Sequence, residues 1–270
     1  MGGPAPGPRR AGARSRSPGQ GSWRSWVDSW DRQQTRYIPF REARFQAIGD
    51  ALEARFGGAF TAVDLGCGPG SLSVRLLERF PRARLIAVAY DAVLLFLGEQ
   101  SSRRGAGRLR WVEADLRLPT WVSRLPRARI DAAVSTTALH WLTRRRTQGL
   151  YTELAGRLSR RGLFLNGEHL PFDVRLPALA RLAESAARLA RHRYLESGPA
   201  PDWSTWWNRL RARPALASRF EVRARRYPGG EHHEHAIAPN DHVKWLRAAG
   251  FREAGVLWQH MDDFVIAGIR

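Results

Sequence analysis

The sequence contains one cysteine, Cys67, and one lysine, Lys244, among 270 residues. A lone cysteine excludes an internal disulfide, and a reducing compartment, the cytoplasm, is the expectation. No apolar run approaches the roughly 18 residues that a membrane span needs, so no membrane role is expected. The N-terminus carries arginines with no apolar stretch behind them, so it does not read as a secretory signal. There is also no internal repeat, which removes solenoids and propellers.

Arginine is abundant instead. Lys and Arg total 44 against 25 acids, a formal charge of +19. Such a charge allows nucleic acid, an anionic membrane or an anionic substrate as partner. Two features temper it. Residues 1–21 hold four arginines and no acid, which leaves 40 basic against 25 acidic residues in 22–270. Arginine also comes with much Ala, Gly and Pro, the pattern of GC-rich coding and of a bacterial source. Part of the charge is then mutational bias, and charge by itself argues only weakly for nucleic acid. Hydrophobic residues make up 43% of the chain, enough for one large α/β domain with a sizeable insertion.

Residues 1–21 are too poor in apolar side chains to offset the entropy of ordering, and are expected to be a disordered tail. Trp23, Trp26, Val27, Trp30 and Tyr37 recur at helical spacing, predicting a helix over 23–36. A second helix follows Pro39, with Phe45, Ile48, Leu52 and Phe56 on one face and Gly57-Gly58 at its end. These helices, 22–58, are expected to form part of a lid. Short apolar runs then alternate with helices: strands at 60–65, 85–89, 109–113, 130–135 and 163–166, with helices near 71–80, 92–100 and 144–160. Runs this short and apolar suit strands buried on both faces of a parallel sheet with right-handed crossovers. The core is placed at 59–170. Residues 171–238 break the rhythm with helices near 177–195, 202–212 and 214–225, an acceptor-binding insertion. The alternation resumes at 239–270 with a helix at 240–248 and strands at 252–258 and 263–269, whose short link suits an antiparallel pair. The fold class is therefore α/β: a Rossmann-like, seven-stranded, mostly parallel sheet with an antiparallel last strand, helices on both faces and a helical lid.

The chemistry centres on Asp64-Leu65-Gly66-Cys67-Gly68-Pro69-Gly70, which lies between the first strand and the next helix. Glycine lets the chain turn tightly and lets a ligand approach the backbone. In an open parallel sheet that position is the ligand crevice. A dinucleotide fingerprint reads G-x-G-x-x-G. Here the third glycine, Gly70, comes one residue early, and the carboxylate of Asp64 suits a cationic ammonium better than a pyrophosphate.

Val63–Gly70 resembles the first motif of class I S-adenosylmethionine-dependent methyltransferases. Further segments follow that family in order: Leu85–Asp91 as second strand, Trp111–Leu116 as the segment facing adenine, Asp131–Ser135 with Ala138-Leu139-His140-Trp141 as fourth strand and exit loop, and Ala248–Phe251 before the closing pair. The exit loop looks most like small-molecule methyltransferases of the trans-aconitate type. The resemblance implies S-adenosylmethionine as cofactor. Gly66, Cys67, Gly68 and Gly70 would line its methionine part with Asp64 near the ammonium, Ser135 would lie beside the methionine chain, and Asp115 and Leu116 would face adenine. The family's ribose-binding acid at the end of the second strand is missing; Ala89 stands there, and Asp91 is the substitute expected.

A general base is needed only if the acceptor must lose a proton. Glu168, His169 and His140 follow the fifth and fourth strands and are the candidates. Tyr37 and Arg41 are candidates to close over the cofactor, and Trp203 and Trp207 to bind a flat or hydrophobic acceptor, although a tryptophan stripe is more often core. Arginines suit an anionic acceptor, a carboxylate or a prenyl diphosphate, methylated on oxygen or carbon. The run Glu231-His232-His233-Glu234-His235 lacks the ligand spacing of a metal site, and no metal is expected. Cys67 has no paired base and is not a nucleophile. An RNA or DNA methyltransferase is the charge-based alternative, opposed by the absence of an Asn/Asp-Pro-Pro-Tyr-type motif and of an RNA-binding module. A non-methylating cyclase or binding protein is the alternative that Ala89 keeps open. The oligomeric expectation is a monomer or homodimer.

Overall fold

The computed structural model describes residues 22–102, 107–128, 130–196, 198, 200–228 and 237–270. The expected tail and the His/Glu run 231–235 lie outside the described residues. Nine α-helices and seven strands are described: α1 (Trp23–Tyr37), α2 (Arg41–Phe56), β1 (Thr61–Leu65), α3 (Ser71–Arg79), β2 (Arg84–Ala89), α4 (Ala92–Ser101), β3 (Leu109–Glu113), β4 (Ile130–Thr136), α5 (Arg144–Arg157), β5 (Leu158–His169), α6 (Pro177–Glu196), α7 (Trp203–Arg211), α8 (Ala217–Arg226), α9 (Pro239–Ala248), β6 (Glu253–His260) and β7 (Asp263–Ile269).

The strands form one sheet in the order β3-β2-β1-β4-β5-β7-β6. β1 to β5 are parallel, and β7 runs antiparallel between β5 and β6. This is the sheet that the alternation of strands and helices predicts. The chain leaves β1 toward β2 on one side and later returns to β4 on the other. That reversal opens a crevice above β1 and β4, where a ligand can reach main chain.

Alternate strand residues point to opposite faces, so each face is buried by its own helices. Val63, Leu65, Ile86, Val88 and Phe164 pack with α5 and α9 through Leu150, Tyr151, Leu154, Trp245 and Leu246. Ala62, Leu85, Ala132, Val134 and Leu165 pack with α2 and α3 through Phe45, Ile48, Leu52, Leu72 and Leu76. A third cluster joins α1, α4 and α7 through Val27, Trp30, Val93, Leu97, Trp206, Trp207 and Leu210.

Two elements differ from the sequence expectation. The helix expected to reach residue 160 ends at Arg157, and β5 starts at Leu158, five residues early. Leu158 already pairs with Ile130, and a register shift follows before Ala132 meets Leu163. Gly162 permits that irregularity, because a Cβ there would lie 2.8 Å from the Leu158 Cβ. The helix expected near 214–225 opens instead as a 3-10 turn, Pro214–Leu216, before α8. Proline there fits the first turn but restricts what precedes it.

Candidate active site

The glycine loop follows β1 into α3. Gly66 has φ +70°, and a Cβ on it would lie 2.4 Å from the Cβ of Ala138, so the β4 exit loop packs directly on its backbone. Gly70 has φ +85° and caps α3; a Cβ there would enter the Trp111 ring at 2.5 Å. The early third glycine therefore has a packing reason in this chain, the indole of β3. A Cβ added at Gly68 would meet only a Leu94 methyl, at an ordinary contact distance of 3.9 Å.

Asp64 lies beneath the loop rather than beside it. It is 1% exposed and accepts a 2.6 Å hydrogen bond from the Ser73 hydroxyl. Burial pushes its carboxyl up to about 6, against the pull of Ser73. Ser135 is buried too, and its hydroxyl donates to the Leu65 carbonyl at 2.9 Å, stapling β4 to β1. Burial, with Asp64 nearby, pushes the Cys67 thiol well up, so it stays protonated at neutral pH.

The other wall of the crevice is the carboxyl end of β4 and β5. His140, on a short 3-10 turn after β4, places Nδ1 3.0 Å from Glu168 Oε1. Burial alone would raise the Glu168 carboxyl; His140, with Arg44 and His169 behind it, outweighs burial and holds it below the ordinary carboxylate range. The second oxygen of Glu168 is buried and has no hydrogen-bond partner among the described residues. His169 faces the other side of β5, with Nδ1 3.5 Å from Asp262 and Nε2 buried with no partner among the described residues. Of the three candidate bases, two thus form one pair and the third stands apart from it.

Arg44 was not a candidate from sequence. It is fully buried on α2 and donates to Asp263 at 2.6 Å, Thr137 Oγ1 at 2.7 Å and the Gly167 carbonyl at 3.3 Å. Thr137 has φ +52° and donates its own N–H to Gly167. Arg44 therefore ties the residue three before His140 to the residue before Glu168. The available signal was an arginine among Phe45, Ile48 and Leu52 on the apolar face of α2.

At the far end of the crevice, Asp91 caps α4, accepting from the N–H groups of Val93 and Leu94, while its other oxygen accepts from Arg223 at 2.6 Å. The carboxylate expected to substitute for the ribose acid thus already serves the α4 N-terminus and Arg223. Asp115 is clasped by Arg117 through both guanidinium and backbone N–H, at 2.9 Å or a little more. Leu116 is half-buried, and its carbonyl accepts from Arg146.

The proposed closing residues are engaged as well. Arg41 is buried, 3.0 Å from Asp31, and its guanidinium lies over Phe45. Asp31 also accepts from Ser71 at the start of α3, so Arg41 braces α1 on α3 instead of lying over the loop. The Tyr37 hydroxyl accepts from the Trp203 N–H at 3.0 Å. Trp207 is 6% exposed, and Trp203 packs edgewise on it and against Trp30. The tryptophan stripe is core here, because α1 and α7 bury it between them.

A family profile described as a methyltransferase domain matches residues 62–162. A trans-aconitate 2-methyltransferase of Azoarcus sp. strain BH72 is 33% identical over 182 residues, 66% of each chain. An uncharacterized methyltransferase of Mycobacterium tuberculosis is 37% identical over 103 residues, 38% of this chain and 47% of that protein. The chain thus spans about two thirds or less of the length of these curated relatives. Among solved structures, magnesium protoporphyrin IX methyltransferase from Synechocystis PCC 6803, with bound SAH, aligns at TM-score 0.56 and 14% identity, over 91% of this chain and 94% of that one. Human N-acetylserotonin methyltransferase in complex with SAM aligns at TM-score 0.50 and 14% identity, over 92% and 57%. Likeness at this identity shows the fold. Profile, relatives, sheet order and glycine loop agree: the chain belongs to the class I S-adenosylmethionine-dependent methyltransferases. Within them, its sequence likeness runs to the trans-aconitate type.

The residues present fit the methionine half of that cofactor. Gly66, Cys67 and Gly68 are only half-buried, so this stretch of the turn stays accessible to a ligand. At the other end of the crevice the acids Asp91 and Asp115 are already paired to arginines.

Proposed function

We propose that the chain methylates a small molecule at an oxygen or carbon that loses its proton, with the His140–Glu168 pair as the base. The observation that carries this reading is the 3.0 Å contact between His140 Nδ1 and a buried, ionised Glu168 at the strand ends that border the glycine loop. A carboxylate bonded to Nδ1–H fixes the imidazole tautomer, places the lone pair on Nε2 and stabilises the cation formed when that nitrogen takes a proton. The cofactor supplies a methyl group already activated on a sulfonium. The protein then has to orient the acceptor, exclude water and receive the proton. Arg44, by bracing Thr137 against Gly167, keeps the two halves of the pair in register.

A carboxylate acceptor needs no base, and the name of the Azoarcus relative favours that second reading. Glu168→Gln separates the two. With a proton-losing acceptor, methyl transfer from radiolabelled S-adenosylmethionine falls by about 10²–10⁴-fold, the usual worth of a general base, while calorimetric affinity for the product cofactor stays within about two-fold. Full activity in Glu168→Gln would sink the base and leave a carboxylate as the acceptor class.

A further inference from the structure

Helix α8 contains no buried residue, yet its last turn reaches across to the ends of β2 and β3. Arg223 donates to Asp91, and its guanidinium lies 4.1 Å from the Trp207 ring centre. Arg226 donates to the Tyr90 carbonyl at 2.5 Å and to Glu113. Its guanidinium sits 4.5 Å from the centre of the Tyr90 ring, against which Tyr227 also packs edgewise. Glu113 is the residue paired with Ala89 across the β2–β3 ladder. The position from which the family's ribose acid is missing is therefore flanked by two acids, each held by an arginine of α8.

We propose that Arg223 and Arg226 are cofactor-positioning residues, building from α8 the ribose edge that Ala89 leaves out. A vicinal diol both donates and accepts hydrogen bonds, whereas a carboxylate serves only its donors. The Oδ1 of Asp91 is taken by two backbone N–H groups, and its Oδ2, holding Arg223, retains capacity to accept. A paired guanidinium and carboxylate present donors and acceptors together, in a fixed geometry. The stacking of Arg223 on Trp207 sets that geometry from the core cluster of α1, α4 and α7, before a ligand arrives.

This inference rests on the reading of the chain as an S-adenosylmethionine binder, and calorimetry separates the two. Wild-type protein is titrated with S-adenosylhomocysteine and with 5′-methylthioadenosine, which keeps adenosine and drops the amino acid; Arg223→Gln and Arg226→Gln follow. Each variant is expected to weaken both ligands by the same factor, about ten-fold, with Arg223→Lys recovering part of the loss. A merely structural role would lower the melting temperature without this equal loss on both ligands. Unchanged or tighter binding in the folded variants would overturn the proposal, tighter binding meaning that the arginines compete with adenosine. If either arginine variant fails to fold, Glu113→Gln decides in the same way, since Glu113 is itself half exposed and Arg226 keeps its bond to the Tyr90 carbonyl. No binding by wild-type protein would instead overturn the cofactor reading.

Discussion

The two ends of the crevice, proposed here to hold the methionine and adenosine parts of the cofactor, are built by different means. The first is a local device: seven consecutive residues whose backbone turns at Gly66, Gly68 and Gly70. The second is assembled from side chains far apart in sequence, Arg223 on Asp91 across 132 residues and Arg226 on Glu113 across 113. A backbone device tolerates little change and leaves a spacing that can be read. A side-chain device can migrate from one element to another, and its disappearance from the usual place, Ala89, is all that remains at the motif.

The largest effect is expected where the local device is broken. In Gly66→Ala the new Cβ meets Ala138 at 2.4 Å, in a backbone with φ +70° that disfavours any side chain. Calorimetry should show S-adenosylhomocysteine binding weakened by about a hundred-fold or more, with 5′-methylthioadenosine affected far less. Adding Ala138→Gly removes the contact but keeps the φ strain, so it should restore binding only in part. Equal losses on both ligands would mean that the two halves are one unit.

This contrast also explains what the sequence disclosed. The alternation of strands and helices, the antiparallel closing pair and the glycine loop were legible because each rests on local pattern: apolar runs, a short link, glycine spacing. Glu168 and His140 were legible as candidates because each follows a strand. Their pairing was not, since it depends on how the exit loop of β4 lies across β5. Arg44 was hidden for a related reason. A buried cation is tolerated only when tertiary partners hold it, here Asp263 on Nε and Thr137 and Gly167 on Nη1. Arg41, Trp203 and Trp207 carry chemistry that suits a ligand, and here it engages Asp31 and the tryptophan cluster.

A middle-sized effect tests the adenosine half from its acid side. Asp91 does two things, capping α4 and holding Arg223, and two substitutions divide them. Asp91→Asn keeps an oxygen for the Val93 and Leu94 N–H groups and removes the charge facing Arg223; product-cofactor affinity should fall about ten-fold, with an unfolding free energy close to wild type. Asp91→Ala removes the cap as well and should lower stability by a further ~1 kcal/mol in denaturant titrations. If Asp91→Asn binds like wild type, the charge of Asp91 has no part in holding adenosine.

The smallest effects concern protons. Asp64, under the methionine half, has its carboxyl raised from 3.8 to about 6 by burial, so folding holds its proton; that stability is full below pH 3.8 and lost as pH rises through 6. His242, buried against Tyr151 with a 2.6 Å hydrogen bond, is lowered from 6.5 to about 4 by burial. Its contribution is present above pH 6.5 and lost as pH falls through 4. The two slopes oppose each other across nearly the same window, so wild-type stability should be almost flat between pH 4 and 6. Asp64→Asn should tilt it, with stability rising with pH and a gain over wild type that reaches about 3 kcal/mol at pH 7.5 and vanishes near pH 3.5. His242→Gln should tilt it the other way. The same Asp64 variant sharpens the contrast between the two halves. If Asp64 acts only by bracing Ser73 and the loop, S-adenosylhomocysteine affinity in Asp64→Asn stays within about three-fold of wild type from pH 5 to 8. A ten-fold loss at pH 8 that fades toward pH 5 would show its charge reaching the ammonium, making the methionine half, too, a site that depends on a side chain.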